Sequence, residues 1–86
     1  MEFQAALGQA VREARAKRGW TQDALAEAVE TDRAYIGNLE TGRRNPSFST
    51  LVRIADALGV RVSDLTARVD DLRGASLELR DDESPT

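Results

Sequence analysis

The sequence predicts an all-α fold of five helices, on three observations. Apolar residues recur at helical spacing in three segments: Leu7, Val11 and Ala14; Leu51, Ile54, Ala55 and Leu58; and Leu65, Val69 and Leu72. Two shorter helical patterns, residues 21–29 and 32–40, stand back to back with a tight break between them. Glycine or proline marks the other breaks, at Gly19, Gly42, Pro46, Gly59 and Gly74.

Residues 5–18 read as the first helix, with Arg15 at the edge of its apolar stripe, a place where an arginine needs a partner. Gly19 is placed to end it in a left-handed conformation. The second helix has Thr21 as its N-cap, Asp23 in the first turn where the helix dipole favours an acid, and Leu25, Ala26 and Val29 as its buried stripe. In the third, Tyr35, Ile36 and Leu39 fall on one arc. Arg33, Ala34, Gly37, Asn38 and Thr41 fall on the other. Helices this short, joined this tightly, cannot bury both stripes as a flat hairpin and must cross steeply, as in a helix-turn-helix. Residues 41–46 form a turn, and a fourth helix follows a cap at Ser47 or Ser49. Ser63 is the expected cap of the fifth. Residues 76–80 alternate polar and apolar, a weak strand pattern, and residues 81–86 are expected to be disordered.

The outer arc of the third helix carries the functional signal. It is small and polar, with one long cation and one amide, where a solvated helix would more usually carry several Glu and Lys. Arg prefers guanine edges and Asn prefers adenine edges in the major groove. Arg33 and Asn38 are therefore candidate base readers. Ala34 would meet a thymine methyl or permit close approach, and Tyr35 reads as core edge rather than DNA contact. Arg43, Arg44 and Asn45 are candidate phosphate contacts, supplying affinity without sequence choice.

Composition narrows the classes further. The 86 residues allow one domain, expected at 1–73, with 74–86 as a tail. Without Cys or His there is no disulfide, no thiol nucleophile, no catalytic triad and no His/Cys metal site. No catalytic residue, metal site or cofactor is expected, and no enzyme. No apolar run approaches the ~18 residues of a membrane span, and the N-terminus lacks a signal-peptide pattern, so a cytoplasmic protein is expected. The net charge of −3 is unevenly spread. Residues 1–60 hold eight Lys+Arg and eight Asp+Glu, while residues 61–86 hold four Arg and seven acids. Arg12, Arg15, Lys17 and Arg18 cluster before the helix-turn-helix, so local potential can still favour phosphate.

Residues GWTQDALAEAV, DRAYIGNLETGRRNPS and TLVRIADALGVRVSDL resemble the Cro/C1-type (XRE) helix-turn-helix family over about residues 7–65. The middle segment is also similar to small controller proteins of restriction–modification systems. The resemblance implies a five-helix, lambda-repressor-like DNA-binding domain with the recognition helix at about 32–40. It implies that Gln22 contacts a phosphate and braces that helix, and that Arg15 pairs with Glu40. Two departures stand out: Glu30 where the turn commonly holds glycine, and Trp20 where an aliphatic residue is usual.

The expected function is a sequence-specific, double-stranded DNA-binding transcription regulator acting as a homodimer on a palindromic operator. Val69, Leu72, Leu77 and Leu79 lie past the family match and are the expected dimer surface. RNA polymerase or a partner protein is a further candidate partner. The alternative is the same fold used as a protein-interaction module, for example an antitoxin or a cofactor docking a partner.

Overall fold

The computed structural model describes residues 1–74. Among them the chain forms α1 (Phe3–Arg18), α2 (Gln22–Ala28), α3 (Arg33–Glu40), α4 (Phe48–Leu58) and α5 (Val62–Leu72), with no strand. The weak strand pattern at 76–80 lies outside the described residues, as do Leu77 and Leu79.

Short polar side chains start the three middle helices by taking an otherwise unpaired backbone N–H. Thr21 Oγ1 accepts from Ala24 N–H at 3.0 Å, an Asp32 carboxylate oxygen from Tyr35 N–H at 2.7 Å, and Ser47 Oγ from Thr50 N–H at 3.2 Å. Ser47 rather than Ser49 is thus the cap of α4. Gly19 and Gly59 end α1 and α4 at φ of 80° and 71°. Two starts differ from the sequence reading. Helix α1 begins at Phe3 instead of residue 5, because Glu2 accepts the Ala6 N–H through its carbonyl at 2.9 Å and closes an earlier turn. Helix α5 begins after Arg61 rather than at a Ser63 cap. The Asp64 carboxylate takes the Arg61 N–H at 2.9 Å, which places Ser63 inside the first turn.

The core is drawn from all five helices, with Val11, Leu25, Ile36, Leu39 and Ile54 fully enclosed. Helix α1 is its centre and packs against α3, α4 and α5, while α2 packs on α3 and α4. Contact between α1 and α3 is unusually close at Gly8. A Cβ built there would collide with the carbonyl oxygens of Leu39 and Glu40, coming within 2.6 Å of the latter. The glycine lets one backbone rest on the end of the other.

Val69 corrects an expectation. It is 2% exposed, a core residue rather than a surface one. Helix α5 runs back along α1, with Arg73 over the Phe3 ring and Arg68 paired with Glu13, and this packing buries both Leu65 and Val69 of its inner stripe. The core therefore does not close at Leu65. Leu72 is half-buried against the same cluster. None of the described helices is long and apolar enough to cross a membrane.

Candidate nucleic-acid interface

The break between α2 and α3 is held in an unfavourable backbone conformation. Glu30 has φ of 61°, the left-handed region where a residue with a Cβ costs about 1 kcal/mol. Arg53, from α4, stabilises this turn from outside: its Nη2 donates to Val29 O at 3.0 Å and to Glu30 Oε1 at 3.2 Å. Thr31 N–H closes the turn onto Ala26 O at 2.8 Å. Sequence reasoning missed Arg53, because the contact joins residues far apart in the chain and a lone arginine on α4 looks merely solvated.

Behind α3 lies a chain of hydrogen bonds that fixes its orientation. Arg15 Nε donates to Glu40 Oε2 at 2.6 Å, and Arg15 Nη2 donates to Glu40 Oε1 at 3.1 Å. The third arm of the guanidinium reaches Trp20 O at 2.7 Å. Gln22 Nε2 donates to Glu40 Oε1 at 3.1 Å, and its Oε1 accepts from Arg33 Nε at 3.4 Å. One carboxylate thus ties α1, α2 and the end of α3 together. It is well shielded: the side chains of Arg15 and Glu40 are 14% and 3% exposed. The Glu40 hydrogen bonds also raise the Arg15 pKa above its ordinary value, so that side chain stays charged. Arg15 therefore drops out of the free cations at the end of α1, leaving Arg12, Lys17 and Arg18 exposed there.

The front of α3 is open. Arg33, Ala34, Asn38 and Thr41 are exposed, and Gly37 sits half-buried beside the Gln22 amide. Tyr35 is half-buried at the core edge. The basic turn is fastened to the same helix: Arg43 and Arg44 N–H donate to Asn38 O at 2.8 and 3.1 Å. The Arg44 guanidinium lies 5.1 Å from the centre of the Tyr35 ring, in cation–π range. Arg43, Arg44 and Asn45 are all exposed. The structure therefore gathers Arg33, Ala34, Asn38 and the 43–45 turn onto one helix and the loop that leaves it. Gln22 lies alongside, its amide engaged by Glu40 and Arg33. Leu72 lies elsewhere, on α5.

Residues 11–65 match the model of the helix-turn-helix family. The chain belongs to that family, in its Cro/C1 (XRE) branch. It is 44% identical over 57 residues to an immunity repressor protein of Bacillus phage phi105, covering 66% of this chain and 40% of the relative. It is also 41% identical over 60 residues to the control protein C.BamHI of Bacillus amyloliquefaciens, covering 69% of this chain and 74% of that one. The crystal structure of the clp gene regulator ClgR from Corynebacterium glutamicum superposes with a TM-score of 0.85 at 32% identity, covering 94% of this chain and 86% of ClgR. The chain spans less than half the length of the phage repressor.

Proposed function

We propose that this member of the helix-turn-helix family is a sequence-specific double-stranded DNA-binding transcription regulator, not an enzyme, and acts in the cytoplasm. Helix α3 enters the major groove. The observation that carries this reading is the contrast between its two faces: Arg33, Ala34 and Asn38 are presented to the outside, while the Arg15–Glu40–Gln22 bonds hold the helix rigidly from behind. Arg33 and Asn38 read base edges and Ala34 permits close approach. Gln22, Arg43, Arg44 and Asn45 meet phosphates and set the register. Residues 1–73 are taken as the DNA-binding unit.

One α3 reads only a few base pairs, so the chain acts as a symmetric dimer on a palindromic operator, with recognition helices about 34 Å apart. With Val69 enclosed, the contact between copies moves to the apolar end where half-buried Leu72 lies near exposed Phe3 and Met1. Asp23 and Glu27 are exposed on α2 and offer RNA polymerase or a partner protein an acidic surface.

Three experiments test this. Selection of preferred duplexes from a random pool should return an inverted repeat. On that site Arg33→Ala and Asn38→Ala should each cost ~1 to 3 kcal/mol, and much less on random DNA. Equal losses on both would reduce these residues to phosphate contacts. Arg43→Ala combined with Arg44→Ala should weaken all duplexes alike and flatten the log–log salt dependence by ~1 to 2. A changed sequence preference with an unchanged salt slope would make them base readers instead. Failure to bind any duplex at low salt would favour a protein-docking role for the fold.

A further inference from the structure

A groove of about 420 Å³ runs between α1 and α5 on a face that the proposed DNA contacts do not use. Its floor is apolar, formed by Ala10, Ala14, Leu58, Val60 and Leu65. The two alanines, one turn apart on α1, are what opens it: larger side chains there would fill the space. One wall is the pair Glu13–Arg68, with Arg68 Nε donating to Glu13 Oε1 at 2.8 Å, and Gln9 donating to the same carboxylate at 3.0 Å. Asp64, also on the rim, is occupied with the Arg61 N–H. Lys17 and Arg18 form the far end. Arg18 lies 4.4 Å from the centre of the Trp20 ring, next to the Thr21 cap that opens α2.

The chain beyond Gly74 carries a sequence that fits this groove in one direction. Leu77 and Leu79 alternate with Glu78 and Arg80, so an extended chain turns both leucines to one side and both charges to the other. Asp81, Asp82 and Glu83 follow. Helix α5 delivers Gly74 to the start of α1, since Arg73 lies over Phe3. A chain folding back from there travels toward the end of α1. Leu65 lies ~13 Å back along α5 at 1.5 Å per residue, and Leu77 and Leu79 lie ~10 to 17 Å along an extended chain. Lys17 and Arg18 lie ~21 to 23 Å along α1, against ~23 to 30 Å for residues 81–83. Leucines meet the apolar floor and acids meet the cations in the same register.

We propose that residues 77–83 of the same chain fold back into the α1–α5 groove, with Leu77 and Leu79 on its floor and Asp81, Asp82 and Glu83 against Lys17 and Arg18. There the acids neutralise Lys17 and Arg18, which touch no phosphate themselves but add to the positive potential beside the start of α2 that draws DNA in. The segment is a built-in brake on DNA affinity, and one that salt weakens. This takes Leu77 and Leu79 out of the contact between copies, leaving it to Leu72, Phe3 and Met1.

The native chain has no cysteine, so crosslinking reads the docking directly. In the full chain, Ala14→Cys with Leu79→Cys, and separately Lys17→Cys with Asp82→Cys, should close an intramolecular disulfide on mild oxidation. Each should form at least about tenfold faster than the exposed control pair Asp56→Cys with Leu79→Cys, since bridging needs Cα atoms within ~7 Å. Should Ala14→Cys disturb packing, the exposed Lys17 pair still decides. Disulfide-linked dimers would assign the groove to the segment of a second copy, and rates equal to the control would leave it without this occupant; either overturns the proposal. The brake is read with Leu77→Ser and Leu79→Ser together, which keep every charge. That variant should bind random duplex about three- to tenfold tighter at ~50 mM salt, the gain vanishing near ~0.5 M. Unchanged or weaker binding overturns the brake. Only this second arm rests on the proposed function: if neither chain binds DNA, that reading has failed and the crosslink still decides docking.

Discussion

Replacing Glu40 with alanine should destabilise the protein by ~3 kcal/mol or more, although Glu40 is a charged residue at the end of an eight-residue helix. The reason is what it leaves behind. Arg15 would lose both of its carboxylate bonds while its side chain stays largely shielded, and Gln22 would lose the acceptor that fixes its amide. An uncompensated charge in such a place costs far more than an exposed ion pair contributes, which is typically under ~1 kcal/mol. For a domain of this size the loss corresponds to a fall in Tm of ~12 °C or more. Thermal and denaturant unfolding of Glu40→Ala, of Arg15→Met, and of the double variant Arg15→Met with Glu40→Ala give the measurement. The double variant should lose less than the two singles summed, since removing both charges leaves none stranded. A loss below ~1 kcal/mol for Glu40→Ala would mean the pair is effectively solvated.

Gly8→Ala should be comparably damaging, by ~3 kcal/mol, although alanine is the better helix former by ~1 kcal/mol. The added methyl would meet the carbonyl oxygens of Leu39 and Glu40, and these are backbone atoms that cannot rotate aside. Relief requires α1 and α3 to separate, which opens the core around Leu39 and pulls Glu40 away from Arg15. The same substitution at Gly74, where a Cβ would meet nothing within 4 Å, should change stability little and serves as the control. Equal stability of Gly8→Ala and the parent would show that the crossing is free to adjust. DNA binding adds a second readout. Because the crossing sets where α3 sits, any folded Gly8→Ala protein should lose operator affinity more than random-duplex affinity.

Much of this arrangement was legible in the residues. Thr21 and Ser47 are short side chains with an acceptor oxygen at the right offset, and each caps a helix; Asp32 does the same for α3, a role the sequence reading did not assign. Leu25, Ala26, Val29, Ile36 and Leu39 obey the helical period and are buried. The outer face of α3 follows from that same period, because a residue placed opposite Ile36 and Leu39 has nowhere to point but outward. Glu30 at the turn was legible as a departure from glycine, and its positive φ follows from the tight link between α2 and α3.

Other features depend on residues distant in sequence, and local rules do not reach them. Gly8 reads as a weak point in a helix until α3 is laid across it. Arg53 reads as a solvated cation until α4 is placed against the Glu30 turn. Val69 reads as a residue left over beyond the family match until α5 is seen running back along α1, where it is core. The sequence by itself therefore determined the five helices, the caps of α2 and α4, the buried stripes of α2 to α4 and the exposed face of α3, since each depends on hydrogen bonds and periodicity within a few residues. Only the tertiary structure decided how closely α1 and α3 approach, where the core ends and which cations remain free. Those depend on how backbones and charges from separate helices share one small volume.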